Sequence, residues 1–312
     1  MTQTLEALSR RTASMQSIRS IVHTMKTLSV INATPYEHAA QAIEAYHSTV
    51  LEGLHAFLSQ MGPLEVPPSG GARRVLIVFG SDHGLCGNYN EALAEHVAKQ
   101  LSDVLEKTTV LCIGAQMADA LLDQSIVSEP TFLPPASVDG IGRLANLLTQ
   151  HLNDIQRDTG LTEISVTLAY FARDGTKGQS PMLIELLPLD RGFVHELQDK
   201  PWVSRSLPSF SMSPSELFQA LIRSHLFASL FRAAAEALVT ENAARLALMQ
   251  QAEQSIDDRL YGLTAETRSV RQNEITTELL DVIIGFEALK TSRDAPHKKA
   301  KEPRSTRSPK TT

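Results

Sequence analysis

Apolar positions at the two ends of the chain recur in steps of three, four and seven, whereas those in the middle come as short unbroken runs. Near the start, Leu5, Leu8, Met15, Ile18, Val22, Met25 and Leu28 fall on one stripe of an α-helix. The periodic segment reaches about Gln60, and Gly62-Pro63 followed by Pro67-Pro68-Ser69-Gly70-Gly71 ends it. As a single helix it would be roughly 90 Å long, more than a compact domain needs. One interruption is expected inside it. Thr34-Pro35-Tyr36-Glu37 reads as an N-cap, a first-turn proline and a capping-box glutamate, so the helix should kink or break at Pro35 and restart.

The middle of the chain, residues 73–208, alternates strand-like with helix-like segments. Val75–Phe79 is apolar and β-branched, a glycine-rich turn follows, and a helix begins near Tyr89. Thr109–Ile113, Ile164–Phe171 and Met182–Leu189 read as further strands, with helices near Gln116–Asp123 and Val138–Gln156 between them. This alternation predicts an α/β domain around a mostly parallel, Rossmann-like sheet. A third region opens at Ser213-Pro214-Ser215-Glu216, which combines a capping serine, a first-turn proline and a capping-box glutamate. From there to Leu289 no proline occurs, and Leu246, Met249, Ile256, Leu260, Leu263 and Val270 keep heptad-compatible steps.

Neither long helix has a neighbour of its own, so the economical arrangement is an antiparallel coiled coil carrying the α/β domain. The expected division is therefore 1–62 and 213–289 for the helical arms, 73–208 for the α/β domain and 290–312 for a tail. That tail is rich in Lys, Arg, Pro and Ser (Lys298, Lys299, Lys301, Arg304, Arg307, Lys310), a composition that predicts solvated disorder.

Composition narrows the function. Apolar residues make up 42% and aromatics only 5%, which favours long helices over a thick core. A net charge of -6 without a basic, aromatic-studded stripe argues against nucleic-acid binding. No apolar run approaches the roughly 20 residues that span a bilayer, so membrane association would come through a partner. Two cysteines, Cys86 and Cys112, lack the spacing of a zinc or disulfide framework.

The loop Gly80-Ser-Asp-His-Gly84-Leu-Cys-Gly87-Asn lies between strand and helix, where phosphate loops occur. Its glycines do not fit G-x-G-x-x-G, and no Walker lysine exists. Gly84, Cys86 and Gly87 are read as a structural turn, and no catalytic residue, metal or cofactor is assigned. Cys86 beside His83 and Asp82 leaves a second reading, a thiol-dependent α/β enzyme with helical oligomerisation arms; a structural coiled-coil adaptor is a third. His47 and His55 stand eight apart on one helix face and read as surface residues.

Four separated stretches carry a resemblance. Ile21-Val-His-Thr-Met-Lys-Thr-Leu-Ser29, Ser81-Asp-His-Gly-Leu-Cys-Gly-Asn-Tyr-Asn90, Glu241-Asn-Ala-Ala-Arg-Leu-Ala-Leu-Met249 and Arg271-Gln-Asn-Glu-Ile-Thr-Thr-Glu-Leu279 follow one another as do similar stretches in the gamma subunits of F-type rotary ATP synthases. The chain resembles that family up to Leu289. The resemblance implies a non-catalytic rotor in the central stalk, seated in a ring of alternating alpha and beta subunits. Its foot would rest on the epsilon subunit and the c-subunit ring, on the cytoplasmic side of a bacterial inner membrane. It also implies that Met25 and Lys26, with Arg245, Arg271, Gln272 and Glu278 on the facing helix, lie where the shaft meets the beta subunits.

The chain departs from the family in places. Val30-Ile-Asn-Ala-Thr-Pro-Tyr36 replaces a basic segment, His83 replaces an arginine, Asn88-Tyr89 replaces Gly-Leu, and the basic tail is additional. These departures point to a divergent bacterial form, with a sodium-translocating type of rotary ATPase among the readings open.

Overall fold

The structure, a computed structural model, describes residues 4–61, 73–101, 108–159, 164–174, 178–202, 205–206 and 209–293. In chain order the elements are α1 (Leu5–Met61), β1 (Arg73–Phe79), α2 (Tyr89–Leu101), β2 (Thr108–Ile113), α3 (Ala115–Asp123), β3 (Thr131–Phe132), α4 (Val138–Thr159), β4 (Ile164–Asp174), β5 (Gly178–Leu187), α5 (Arg191–Asp199) and α6 (Pro214–Arg293). The chain divides into two compact units. One is Ser20–Gln254; the other joins Met1–Arg19 to Ser255–Thr312.

In the larger unit the strands form one sheet in the order β3-β2-β1-β4-β5. β1 pairs in parallel with β2 and β4, β2 in parallel with β3, and only β5 runs antiparallel, against β4. The apolar run of β1 is buried on both faces, as a central parallel strand must be. Leu76 and Val78 turn to the side covered by α2 and α3, where Leu93, Val97, Met117 and Leu121 meet them. Val75, Ile77 and Phe79 turn to the other side and join Ile141, Leu148 and Leu152 of α4.

The second layer does not end with the α/β region. Tyr36, Ala39 and Ala40 of α1, with Leu226, Leu230, Ala233–Ala235 and Ala237–Val239 of α6, belong to the same core. The region 73–208 therefore closes its sheet with residues drawn from both long helices.

Within this unit α1 and α6 run antiparallel. Lys26 meets Glu253, Glu44 meets Arg232, His47 meets His225 and Phe57 meets Phe218, so partner numbers fall as α1 advances. In the smaller unit Arg19 pairs with Asp257 in the same sense, and Leu8 and Leu263 are buried. Thr4 Oγ1 accepts the Ala7 N–H to start α1. At the start of α6, Ser213 and Glu216 complete the expected capping box: Ser213 Oγ accepts the Glu216 N–H, and Glu216 Oε2 accepts both the Ser213 N–H and its hydroxyl.

The break and restart expected at Pro35 do not occur, and helix α1 runs through it. The ring sits on the exposed side of the helix, where water can reach the carbonyl left without its donor. Tyr36, Ala39 and Ala40, just beyond it, are held in the core, and Glu37 bonds Arg173 instead of capping a new helix.

The reading of His47 and His55 as surface residues is also corrected. The helix face they share looks toward α6 and the segment after α5. His55 is buried, its Nε2 lies 2.8 Å from the Lys200 carbonyl, and its ring lies against Trp202. Two elements went unread, the two-residue β3 and the nine-residue α5. The basic residues of the expected tail lie outside the described residues, while α6 itself is described through Arg293.

Candidate functional site

In an open α/β sheet a ligand binds beyond the carboxyl ends of the strands, where the strand order reverses. Here that point lies between β1 and β4, and the Gly80–Asn90 turn stands over it. Gly80 continues the β1–β2 ladder, donating its N–H to the Ile113 carbonyl at 2.9 Å. A Cβ on Gly80 would stand 2.4 Å from that of Met117, so glycine is required there. Asn90, on the first turn of α2, accepts from the Ser81 N–H (3.0 Å) and donates to the Ser81 hydroxyl (2.8 Å). Ser81 in turn donates to the His83 carbonyl at 3.0 Å, and Asp82 accepts the first N–H of α3 from Ala115 at 3.1 Å.

Of the three residues assigned to the turn, Gly87 adopts the left-handed backbone with φ 70°. Gly84 has open space around it, and the second left-handed position is occupied by Leu85, at φ 65°. A leucine held there costs about 1–2 kcal/mol, which the surrounding hydrogen bonds offset. Cys86 is buried, with its sulfur 3.5 Å from the Ser81 hydroxyl. Burial pushes its thiol upward despite that contact, and Glu241 adds to the rise. A protonated thiol at neutral pH is a poor nucleophile, so the turn lacks the activated sulfur that a thiol enzyme needs.

The crevice itself is filled by α6. Tyr89 donates its hydroxyl to the Ala237 carbonyl at 3.0 Å, stacks on Phe171 and touches the Thr240 hydroxyl at 3.0 Å. Thr240 reaches the Phe171 carbonyl at the end of β4. The next residue, the buried Glu241, accepts from Arg245 at 2.5 Å, and the same Arg245 nitrogen lies 3.5 Å from the His83 carbonyl. Burial raises the Glu241 carboxyl while Arg245 opposes it. The chain's own helix occupies the place where a dinucleotide would lie.

The residues assigned to the shaft fall into three settings. Met25 and Lys26 are half-buried on α1, and Lys26 Nζ lies 2.5 Å from Glu253 of α6. His23 shares that carboxylate at 2.9 Å, and the two donors hold Glu253 at about 2, well below the usual carboxylate range. Arg245, mostly covered, faces the turn. Arg271, Gln272 and Glu278 stand exposed on α6. Beyond them the helix carries a broad apolar face open to solvent, with Leu279, Val282, Ile284 and Phe286 each more than half exposed. Sequence reasoning missed the bonds of Glu253, Tyr89 and Thr240, because a long-range partner leaves no local periodic signal. Among the described residues no three His, Cys, Asp or Glu side chains stand together to hold a metal, and no helix is long and apolar enough to cross a membrane.

A family model described as ATP synthase matches residues 4–289. The chain belongs to the ATP synthase family. Relatives within the family include the ATP synthase gamma chain of Beijerinckia indica, 27% identical with 91% of this chain and 99% of the relative covered. The ATP synthase gamma chain of a Jannaschia species is 25% identical, with 91% and 99% covered. Among solved structures, a chain of the Euglena gracilis mitochondrial ATP synthase, from its OSCP/F1/c-ring assembly, shares the fold with a TM-score of 0.58 at 15% identity, covering 96% of this chain and 98% of that one. A chain of the Tetrahymena thermophila mitochondrial ATP synthase central stalk and c-ring reaches 0.52 at 16% identity, covering 74% and 99%. Membership of the ATP synthase family extends across both long helices and the sheet between them.

Proposed function

We propose that this chain is the central-stalk rotor, or gamma subunit, of a rotary ATP synthase, itself non-catalytic. It couples ion flow through the membrane sector to ATP synthesis or hydrolysis in a ring of alpha and beta subunits. The observation that carries the reading is the end of α6, where Ile275, Leu279, Leu280, Val282, Ile283, Ile284 and Phe286 are all exposed and form a broad apolar face opposite Glu274, Thr277, Glu278 and Asp281. An exposed apolar face that broad belongs against other protein, not in water. The filled crevice supports the same reading, since the nucleotide sites then belong to other subunits. An asymmetric shaft presents different faces to three equivalent sites and so biases each in turn, which is coupling through differential contacts.

In this reading residues 1–62 and 213–289 form the two arms of the shaft, 73–208 the domain they carry, and 290–312 a tail. Met25 and Lys26, then Arg271, Gln272 and Glu278, lie toward the beta subunits, while Arg245 acts indirectly by holding the Gly84–Gly87 turn. The partners are the alpha and beta subunits, the epsilon subunit and the c-subunit ring. The complex sits on the cytoplasmic face of a bacterial inner membrane, and this chain is peripheral to it.

A reversible tether tests the rotor. In the assembled complex, a cysteine at Arg271, with Cys86 and Cys112 changed to serine, is oxidised to a cysteine on the facing beta-subunit loop. Oxidation should stop steady ATP turnover and reduction restore it, because a disulfide fixes the two chains at bonding distance. Undiminished turnover at complete cross-linking would rule out this chain as an obligatory rotor.

A further inference from the structure

The face that α6 turns to the sheet mixes alanines with larger side chains such as Leu230, Leu238 and Val239. Ala233, Ala234, Ala235 and Ala237 lie in the shared core, and contacts of such small apolar groups are non-directional. The alanines hold the helix against the sheet and contribute little to fixing its rotation. Directional bonds add to that: Thr240 reaches the Phe171 carbonyl, and four further bonds converge on Arg173, the penultimate residue of β4. Its Nε and Nη2 donate to the two carboxylate oxygens of Glu236 on α6, at 2.8 and 3.0 Å, and its backbone N–H donates to Glu236 Oε1 at 2.9 Å. Its Nη1 donates to Glu37 on α1 at 2.9 Å. One side chain on a central strand thus joins both long helices, with a planar fork that admits a single orientation.

We propose that Arg173 is a positioning residue that locks the α/β sheet to both helices so that the three turn as one body under load, an inference that rests on the rotor function above. An isolated surface ion pair would contribute little. A bidentate fork joined to a second carboxylate and a backbone donor is the case in which charge networks do matter. Without it, α6 is held to the end of β4 by Thr240 and apolar packing alone and yields through a small angle while torque is applied. ATP is then consumed without the matching movement of ions, although the shaft and the catalytic sites remain whole.

The test uses the complete complex in sealed vesicles, with ATP hydrolysis and ATP-driven ion transport measured side by side, together with subunit stoichiometry and thermal stability. Arg173→Gln should leave hydrolysis within about twofold of the parent and lower the ions moved per ATP by roughly fivefold. Arg173→Lys, which keeps the charge and loses the fork, should fall between the two. Arg157→Gln, on an exposed i,i+3 pair of α4, should change nothing. A merely structural role would lower both activities together with subunit content. A normal transport-to-hydrolysis ratio in fully assembled Arg173→Gln overturns the proposal. Should that variant not assemble, Glu37→Gln decides, since it removes one arm of the clamp from an exposed position. A ratio lowered by about twofold supports the lock, and an unchanged ratio overturns it. The tether experiment on the parent complex keeps the two readings apart: if the parent is not arrested the rotor falls, and if it is arrested while the ratio holds only the lock falls.

Discussion

His47 on α1 and His225 on α6 face each other with ring nitrogens 3.2 Å apart. Only one proton can lie between them, so one imidazole donates and the other accepts. His225 is 7% exposed, with Phe193 of α5 against its ring. Burial, then the neighbouring His47, brings its pKa down to about 4. His47 is lowered too, chiefly by burial, with Glu44 opposing and Arg232 assisting. Because the folded pKa lies below the unfolded one, the unfolded chain binds the extra proton. Stability is complete above about pH 6.5 and is lost as pH falls toward 4, by at most roughly 3 kcal/mol for His225. The urea midpoint should therefore drop between pH 7.5 and 4.5, and the drop should shrink in His225→Gln. An equal drop in that variant would place the acid sensitivity elsewhere. This pair was not legible in the sequence. An eight-residue spacing shows that His47 and His55 share a face, but only the partner helix decides whether that face is wet. Arg245 carried the same ambiguity, since a motif gives its place in a helix and not the direction in which the guanidinium reaches.

At the level of elements, legibility followed the strength of local signals. The uninterrupted apolar run of β1 and the Ser213–Glu216 capping box mark their elements because burial and capping are decided within a few residues. β3 has two residues and depends on its ladder with β2, and α5 is a short helix started by Asp190, whose carboxylate accepts the Phe193 N–H. Pro35 shows the opposite failure, a strong local signal overruled. Removing one backbone bond on the wet side of α1 is outweighed by burial of Tyr36, Ala39 and Ala40 on the dry side. Pro35→Ala should then return the missing N–H and stabilise α1 by roughly 1–3 kcal/mol, read as a melting temperature higher by a few degrees. A lower melting temperature would mean that the proline's geometry is required there.

For the molecule as a whole, a Rossmann-like sheet invites the expectation of a bound nucleotide, and the placement of α6 removes the room for one. Isothermal titration of the purified chain with ATP or a dinucleotide should give no saturable micromolar heat, whereas a binding isotherm would require α6 to leave the strand ends. The same placement bears on how the chain is made. The sheet's second layer needs residues from α1, which leave the ribosome first, and from α6, which leave near the end. When β5 has emerged, Val75, Ile77 and Phe79 still lack Leu230, Ala233–Ala235 and Ala237–Val239, about fifty residues and several seconds away at roughly 5–20 residues per second. Through that interval the nascent chain exposes the part of that side of the sheet which α4 and α1 leave uncovered, and the late arrival of α6 closes it.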